Sequence, residues 1–188
     1  MRRLVLKMSM SLDGYVAGPN GEMDWITVDG DLFDYAGART NESDTALYGR
    51  ATWEMMESYW PNAADKPGAT RHAIEHSHWY NNVAKVVASK TMRGTSSPHT
   101  RIISQPNEDV AALKRESGKD ILIFGSPSLA HALMADNLID DYWLFVNPIL
   151  LGRGIPLFKN IEQRTKLERI EAKAFASGVV CLHYRIAA

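Results

Sequence analysis

The chain has 188 residues, 45% of them apolar and 23% charged, with a formal net charge of −1. That length suits one well-buried domain over residues 1–188 and excludes two ordinary ones, while the near-neutral charge excludes a chain-wide basic field and with it nucleic acid as a main partner. A single cysteine, Cys181, excludes an internal disulfide and a cysteine zinc site. No apolar run is long enough for a signal or a membrane span, so a cytoplasmic protein with no membrane partner is expected.

In chain order, Leu4 to Met8 reads as a first strand. Ser11 to Gly18 follows with an Asp13–Gly14 turn signal, and Pro19–Asn20–Gly21 is a second turn. Trp25 then stands in a loop. Asp29 to Glu42 reads as a helix, with Asp29 or Asp31 as its cap and Leu32, Tyr35 and Ala36 on one face. Thr45 to Tyr48 is a short strand that Gly49 ends, and Arg50 to Glu57 is the next helix, closed by Trp60–Pro61. Lys66 to Asn82 is polar, His-rich and helical in part. Ala84 to Ala88 is a buried strand ending in Ser89–Lys90–Thr91, Arg101 to Ile103 is another, and Glu108 to Ser117 is a helix.

Ile121 to Phe124, four apolar residues in a row, is a strand buried on both faces. Gly125 breaks it, Ser126 has the hydroxyl of an N-cap and Pro127 suits the first helical position. The helix continues through Leu129 and Leu133 to about Asp136. Asp141 to Val146 is a strand, Leu151 to Pro156 a glycine-rich loop, and Thr165–Phe175 and Val179–Ile186 are antiparallel strands joined through Ser177–Gly178. Alternating strands and helices closed by a hairpin predict a three-layer α/β domain with a mainly parallel sheet.

Three strand ends point to one anionic ligand. Gly49–Arg50–Ala51–Thr52 offers close backbone approach, a helix start, a hydroxyl and a guanidinium, whose planar fork suits phosphate. Ser89–Lys90–Thr91 adds two hydroxyls and an ammonium, and Gly125–Ser126 a second helix start. The pattern fits a dinucleotide and leans to the NADP form, since no acidic residue stands at the Ser89–Lys90 end to meet a ribose diol. The G-x-G-x-x-G fingerprint of an ordinary dinucleotide fold is absent. Asp24, Asp29 and Asp31 flank Trp25 and are candidates to relay a proton to a substrate nitrogen. His72–Ala73–Ile74–Glu75–His76 matches the H-x-x-E-H spacing of a zinc hydrolase, against which stands an exposed, polar helix.

Ser11–Leu12–Asp13–Gly14, Trp25–Ile26–Thr27, Gly49–Arg50–Ala51–Thr52–Trp53–Glu54, and Leu138–Ile139–Asp140–Asp141 leading to Pro148–Ile149–Leu150–Leu151–Gly152 resemble the dihydrofolate-reductase-like superfamily. Within it the chain is most similar to the C-terminal reductase domain of the bifunctional riboflavin-biosynthesis deaminase/reductase, as a stand-alone relative. The resemblance implies a mixed sheet of about eight strands flanked by helices, NADPH as hydride donor, a small-molecule substrate and a homodimer. It implies that Gly49, Arg50, Thr52, Ser89 and Lys90 hold the nucleotide phosphates. It also implies that Gly125, Ser126, Ser128 and Leu129 lie against the pyrophosphate and nicotinamide half, and that Trp25 lies near the nicotinamide. Riboflavin reductases often carry a substrate-holding Glu where this chain has Phe124. Asp31, then Asp24, is the expected proton relay. The expected activity is NADPH-dependent reduction of a C=N or C=O bond in a small pterin- or ribosylaminopyrimidine-like substrate. The alternatives are a non-catalytic nucleotide-binding dimer and, more remotely, a zinc hydrolase through His72, Glu75 and His76.

Overall fold

Side-chain parity along the first strand separates two faces. A computed structural model describes residues 1–187, and in it β1 runs Leu4–Ser11. Leu4 and Leu6 enter one core and Val5 another. Parity therefore sends Lys7 to the same face as Val5.

The elements that follow are β2 (Tyr15–Ala17), α1 (Gly30–Thr40), β3 (Ser43–Gly49), α2 (Arg50–Tyr59), a 3-10 turn (Trp60–Asp65) and α3 (Arg71–Asn82). Next come β4 (Ala84–Ala88), β5 (Thr100–Ile103), α4 (Pro106–Arg115), β6 (Asp120–Ile123) and α5 (Pro127–Ala135). The chain ends with β7 (Asp141–Asn147), β8 (Ile155–Pro156), β9 (Leu167–Ala174) and β10 (Val180–Ile186).

Eight strands form one sheet in the order β5-β4-β3-β6-β1-β7-β10-β9. The first six run parallel; β10 and β9 add antiparallel at one edge. One face carries α4 and α5, whose Val110, Leu113, Leu129 and Leu133 pack on Leu4, Leu6, Leu47, Ile121 and Ile123. The other face carries α1, with Leu32 and Ala36 over Val5, Leu122, Trp143 and Phe145, and α2 and α3, with Trp53 and Tyr80 over Ala46, Tyr48 and Val87. This is the expected three-layer mixed architecture with its C-terminal hairpin. After β1 the chain winds outward through β3, β4 and β5, then β6 returns into the gap between β3 and β1. The carboxyl ends of β4, β3, β6 and β1 thus open on one edge, the place where open α/β sheets bind ligands.

Two features differ from the local reading. β1 extends to Ser11 rather than Met8, because Met8 to Ser11 pair with Leu144 to Asn147 of β7. β2 and β8 form a separate two-stranded sheet from stretches that read as turn and loop. Their pairing is a long-range contact between segments more than a hundred residues apart, which no local pattern encodes.

Candidate functional site

The carboxyl ends of β3 and β6 bring two helix starts into contact. The N–H of Gly49 donates to the carbonyl of Gly125 at 2.8 Å. A Cβ on Gly49 would collide with the Ser126 hydroxyl and lie 3.0 Å from the Ser126 backbone nitrogen. Gly125, at φ 115°, holds a conformation that favours glycine and faces the hydroxyl of Thr52. Thr52 therefore belongs to both helix starts.

These starts differ from the others in chemistry. Asp29 caps α1 by accepting from Leu32 N, Thr70 caps α3 by accepting from Ala73 N, and α4 has Glu108 and Asp109 in its first turn. At α2 and α5 the N-caps Gly49 and Ser126 make no side-chain cap bond, and neither first turn holds an acidic residue. The first amide groups of a helix have no intrahelical acceptor and carry partial positive charge. Two such ends, side by side and uncapped, make a cradle of amide donors whose chemistry suits an anion. Around it stand Arg50, whose guanidinium donates to Thr91 Oγ1 at 3.0 Å and to Glu54 at 2.7 Å, and Ser89, whose hydroxyl accepts from Thr91 N and Met92 N. Lys90 and Ser128 are exposed beside it, the Ser128 hydroxyl 2.9 Å from that of Ser126. Leu129 differs: its side chain is in the core under α5, leaving only its backbone to the helix start.

Next to this cradle, on the α1–α3 face, lies a cavity of about 600 Å³. Phe124, which precedes Gly125, forms part of its wall, as do Met55 and Met56 of α2. Phe33, Trp60, Trp79 and Phe145 supply further apolar surface, and the loop before α1 adds Met23, Ile26 and Val28. That loop is pinned where Asn147, at the end of β7, accepts from Thr27 N at 2.9 Å. Lys7 projects to this cavity from the central strand. Its Nζ sits 5.0 Å from the Phe124 ring centroid and 5.2 Å from that of Trp143, with Thr40 Oγ1 at 3.4 Å. Among the described residues no carboxylate pairs with it. Burial lowers its pKa from 10.5 to about 8, against a smaller upward pull from Cys181.

His76 lies between Trp60 and Trp79, with ring centroids 4.1 and 5.1 Å away. Its Nε2 is buried and has no hydrogen-bond partner. Burial first, then the charge on Lys7, lowers its pKa to about 3, so the imidazole is neutral at physiological pH. His72 instead stacks on Phe33 at 5.1 Å and faces Asp34 at 3.4 Å, while Arg71 pairs with Asp34 and Glu75. Among the described residues no three His, Cys, Asp or Glu converge as a metal-binding group, so the H-x-x-E-H spacing on α3 gathers no third ligand.

The structure thus brings together Gly49, Arg50, Thr52, Ser89, Lys90, Gly125, Ser126 and Ser128. It does not bring Asp24, Trp25 or Asp31 to the cavity. Asp24 and Asp31 are exposed, and none of the three lines it. Trp25 is half-buried with its indole N–H donating to the Glu22 carbonyl at 3.1 Å. Asp29, not Asp31, caps α1. Sequence patterning does not single out Lys7, and it offers His76 only as a possible zinc ligand. For Lys7 the available signal was a lone cation inside an apolar central strand.

The family model for the RibD C-terminal domain matches residues 2–181. The chain belongs to the RibD C-terminal domain family. Among its relatives are the uncharacterised YyaP of Bacillus subtilis, 34% identical over 185 residues that cover 97% of this chain and 94% of YyaP, and RibD of Corynebacterium ammoniagenes. The latter is a riboflavin biosynthesis protein, 25% identical over 159 residues, 81% of this chain but 44% of RibD. A solved structure from Shewanella sp. PV-4, assigned to riboflavin biosynthesis, superposes with a TM-score of 0.72 at 21% identity over 99% of both chains. A pyrimidine reductase-like protein of Corynebacterium diphtheriae does so with 0.69 at 15% identity, over all of this chain and 92% of its own. These likenesses establish the dihydrofolate-reductase-like fold of RibD C-terminal domains. Among the described residues no helix is long and apolar enough to cross a membrane.

Proposed function

We propose that this RibD-type domain is an NADPH-dependent reductase acting on a C=N or C=O bond of a small substrate held in the 600 Å³ cavity. The observation that carries the reading is the paired, uncapped and acid-free starts of α2 and α5, which meet at Gly49 and Gly125. That donor set fits a dinucleotide: amide groups for the pyrophosphate, and Arg50, Ser89 and Lys90 for a further phosphate on the ribose. Membership of a family that includes reductase domains supports the same reading.

NADPH, when bound, supplies the hydride. The chain's own residues do the rest. Gly49 and Gly125 let the backbone approach the phosphates. Phe124, joining cradle to cavity, and the Trp60–Trp79 wall exclude water from the reacting bond. Lys7, with a pKa near 8, carries a proton at neutral pH and holds it at Nζ for the substrate heteroatom. In this reading Lys7, rather than Asp31 or Asp24, is the proton relay, supported by the amine lining the cavity where the two carboxylates do not. A homodimer in the cytoplasm is part of the proposal, to be checked by mass measurement in solution and by fractionation of cells.

Calorimetric titration with NADPH and NADH is the direct test. Binding of NADPH well ahead of NADH supports the reading. No binding of either at about 1 mM, a free energy of only about −4 kcal/mol, overturns it.

A further inference from the structure

The cavity's walls define a class of substrate. This inference rests on the reductase reading for what happens to the substrate, though occupancy of the cavity can be measured without any reduction.

The ionised side chains that line the cavity are two cations, Lys7 and Arg71, and two carboxylates, Asp34 and Glu75. Arg71 is already engaged by both carboxylates, and all three are exposed. A phosphate dianion there would meet no free guanidinium and two like charges. The adjacent helix starts are closed as well: Asp29 caps α1 and Thr70 caps α3. Lys7 is the one lining cation that no carboxylate pairs with among the described residues, and it sits against the Phe124 and Trp143 rings. A single ammonium on an aromatic floor suits one acceptor atom, not a doubly charged phosphate.

Most of the remaining lining is apolar, with Ser9, Thr40 and Asn41 as uncharged polar groups and His72 stacked on Phe33. Trp60, Trp79, Phe33 and Phe124 contribute aromatic surface, and the flexible Met55 and Met56 side chains complete the apolar wall. A cavity of this size holds a drug-sized molecule. Among the polar groups of the lining, His76 stands apart because its ring nitrogen is unpaired. Its buried Nε2 has no partner, and buried polar atoms in native structures are nearly always paired.

We propose that the cavity takes a planar, conjugated ring of one or two fused cycles that carries no phosphorylated sugar, with a carbonyl or ring-nitrogen acceptor toward Lys7 and a second polar group toward His76. Phe124 and the Trp60–Trp79 pair select for the ring; Asp34 and Glu75 select against an anionic tail.

Two probes separate the classes: 4-quinolone, a neutral fused ring with one carbonyl and one N–H, and 5-amino-6-(5-phosphoribosylamino)uracil. Each is titrated calorimetrically into the full chain, with and without NADP+. The expected result is micromolar binding of 4-quinolone and no binding of the phosphorylated compound at about 1 mM. Phe124→Glu should weaken 4-quinolone by roughly tenfold or more, and the milder His76→Ala, away from the sheet, by about tenfold. Circular dichroism confirms that each variant is folded. Binding of the phosphorylated compound as tight as that of 4-quinolone, no binding of 4-quinolone, or its binding unchanged in a folded His76→Ala variant would each overturn the proposal. Loss of NADPH binding would instead sink the reductase reading, and the titrations without NADP+ would still report on the ring.

Discussion

Lys7 is the residue on which the proposed proton relay turns. A cation on a central strand costs stability, because burial is not compensated by a partner charge. Its lowered pKa means that the unfolded chain holds the proton more tightly than the folded one. The penalty is therefore full below about pH 8 and is relieved as the pH rises toward the unfolded value near 10.5. Lys7→Met, which keeps the length and removes the charge, should raise the melting temperature at pH 7 while lowering kcat about 100-fold or more, as expected for a lost proton donor. The stability gain over the parent should shrink above pH 8. The kcat/KM of the parent should likewise fall above about pH 8, where the amine has lost its proton; a flat profile to pH 10 refutes the relay. Arg50 is the second residue-scale test. Arg50→Ala should weaken NADPH far more than NADH, read by calorimetry, because only the former brings an extra phosphate to the guanidinium.

At the scale of elements, the decisive event is that α2 and α5 begin against each other. Neither helix start is unusual in isolation. Gly49 and Gly125 are more than seventy-five positions apart in the chain, and only the insertion of β6 beside β3 makes them hydrogen-bond. Gly49→Ala tests this junction directly. The added methyl meets the Ser126 hydroxyl and backbone, so one helix start must shift. The expected cost is about 1–3 kcal/mol by chemical denaturation, together with weaker nucleotide binding. Unchanged affinity in a folded Gly49→Ala protein would remove the junction from the nucleotide site.

Across the whole molecule, the two ends of the parallel strands do different work. The carboxyl ends carry the cradle and the cavity. The opposite end is locked by Asp141, which is 1% exposed and accepts from Arg185 Nε at 2.8 Å and from His183 Nε2 at 2.9 Å. Arg39 of α1 reaches His183 Nδ1 at 2.7 Å, so that nitrogen accepts while Nε2 donates to Asp141. The network ties α1 to the antiparallel edge of the sheet. Burial pushes the Asp141 carboxyl up, but the bonds from Arg185 and His183 outweigh it and hold its pKa well below the usual carboxylate range. The unfolded chain binds that proton more readily, so this contribution is present above about pH 4 and is lost as the pH falls toward the folded value. Asp141→Asn should cost about 3 kcal/mol at pH 7 and much less at pH 2.5, with nucleotide affinity unchanged. Denaturation at the two pH values checks it.

The elements were legible in the sequence because they rest on local chemistry. Four consecutive apolar residues marked β6, Ser126–Pro127 marked the start of α5, and Ser177–Gly178 marked the hairpin. The donor chemistry of the cradle's strand ends was legible too, since glycine, hydroxyl and guanidinium stand among them in the sequence; the anion they would hold belongs to the proposal. The lining of the cavity was not. Asp31 and Asp24 stand near Trp25 in the chain, yet both are exposed and neither lines the cavity, while Lys7, one cation in an apolar strand, does. Sequence determines what each residue can donate, accept or bury. Only the tertiary structure decides which groups lose their water and their partners, and that loss is what separates Lys7 and His76 from the other cations and imidazoles of the chain.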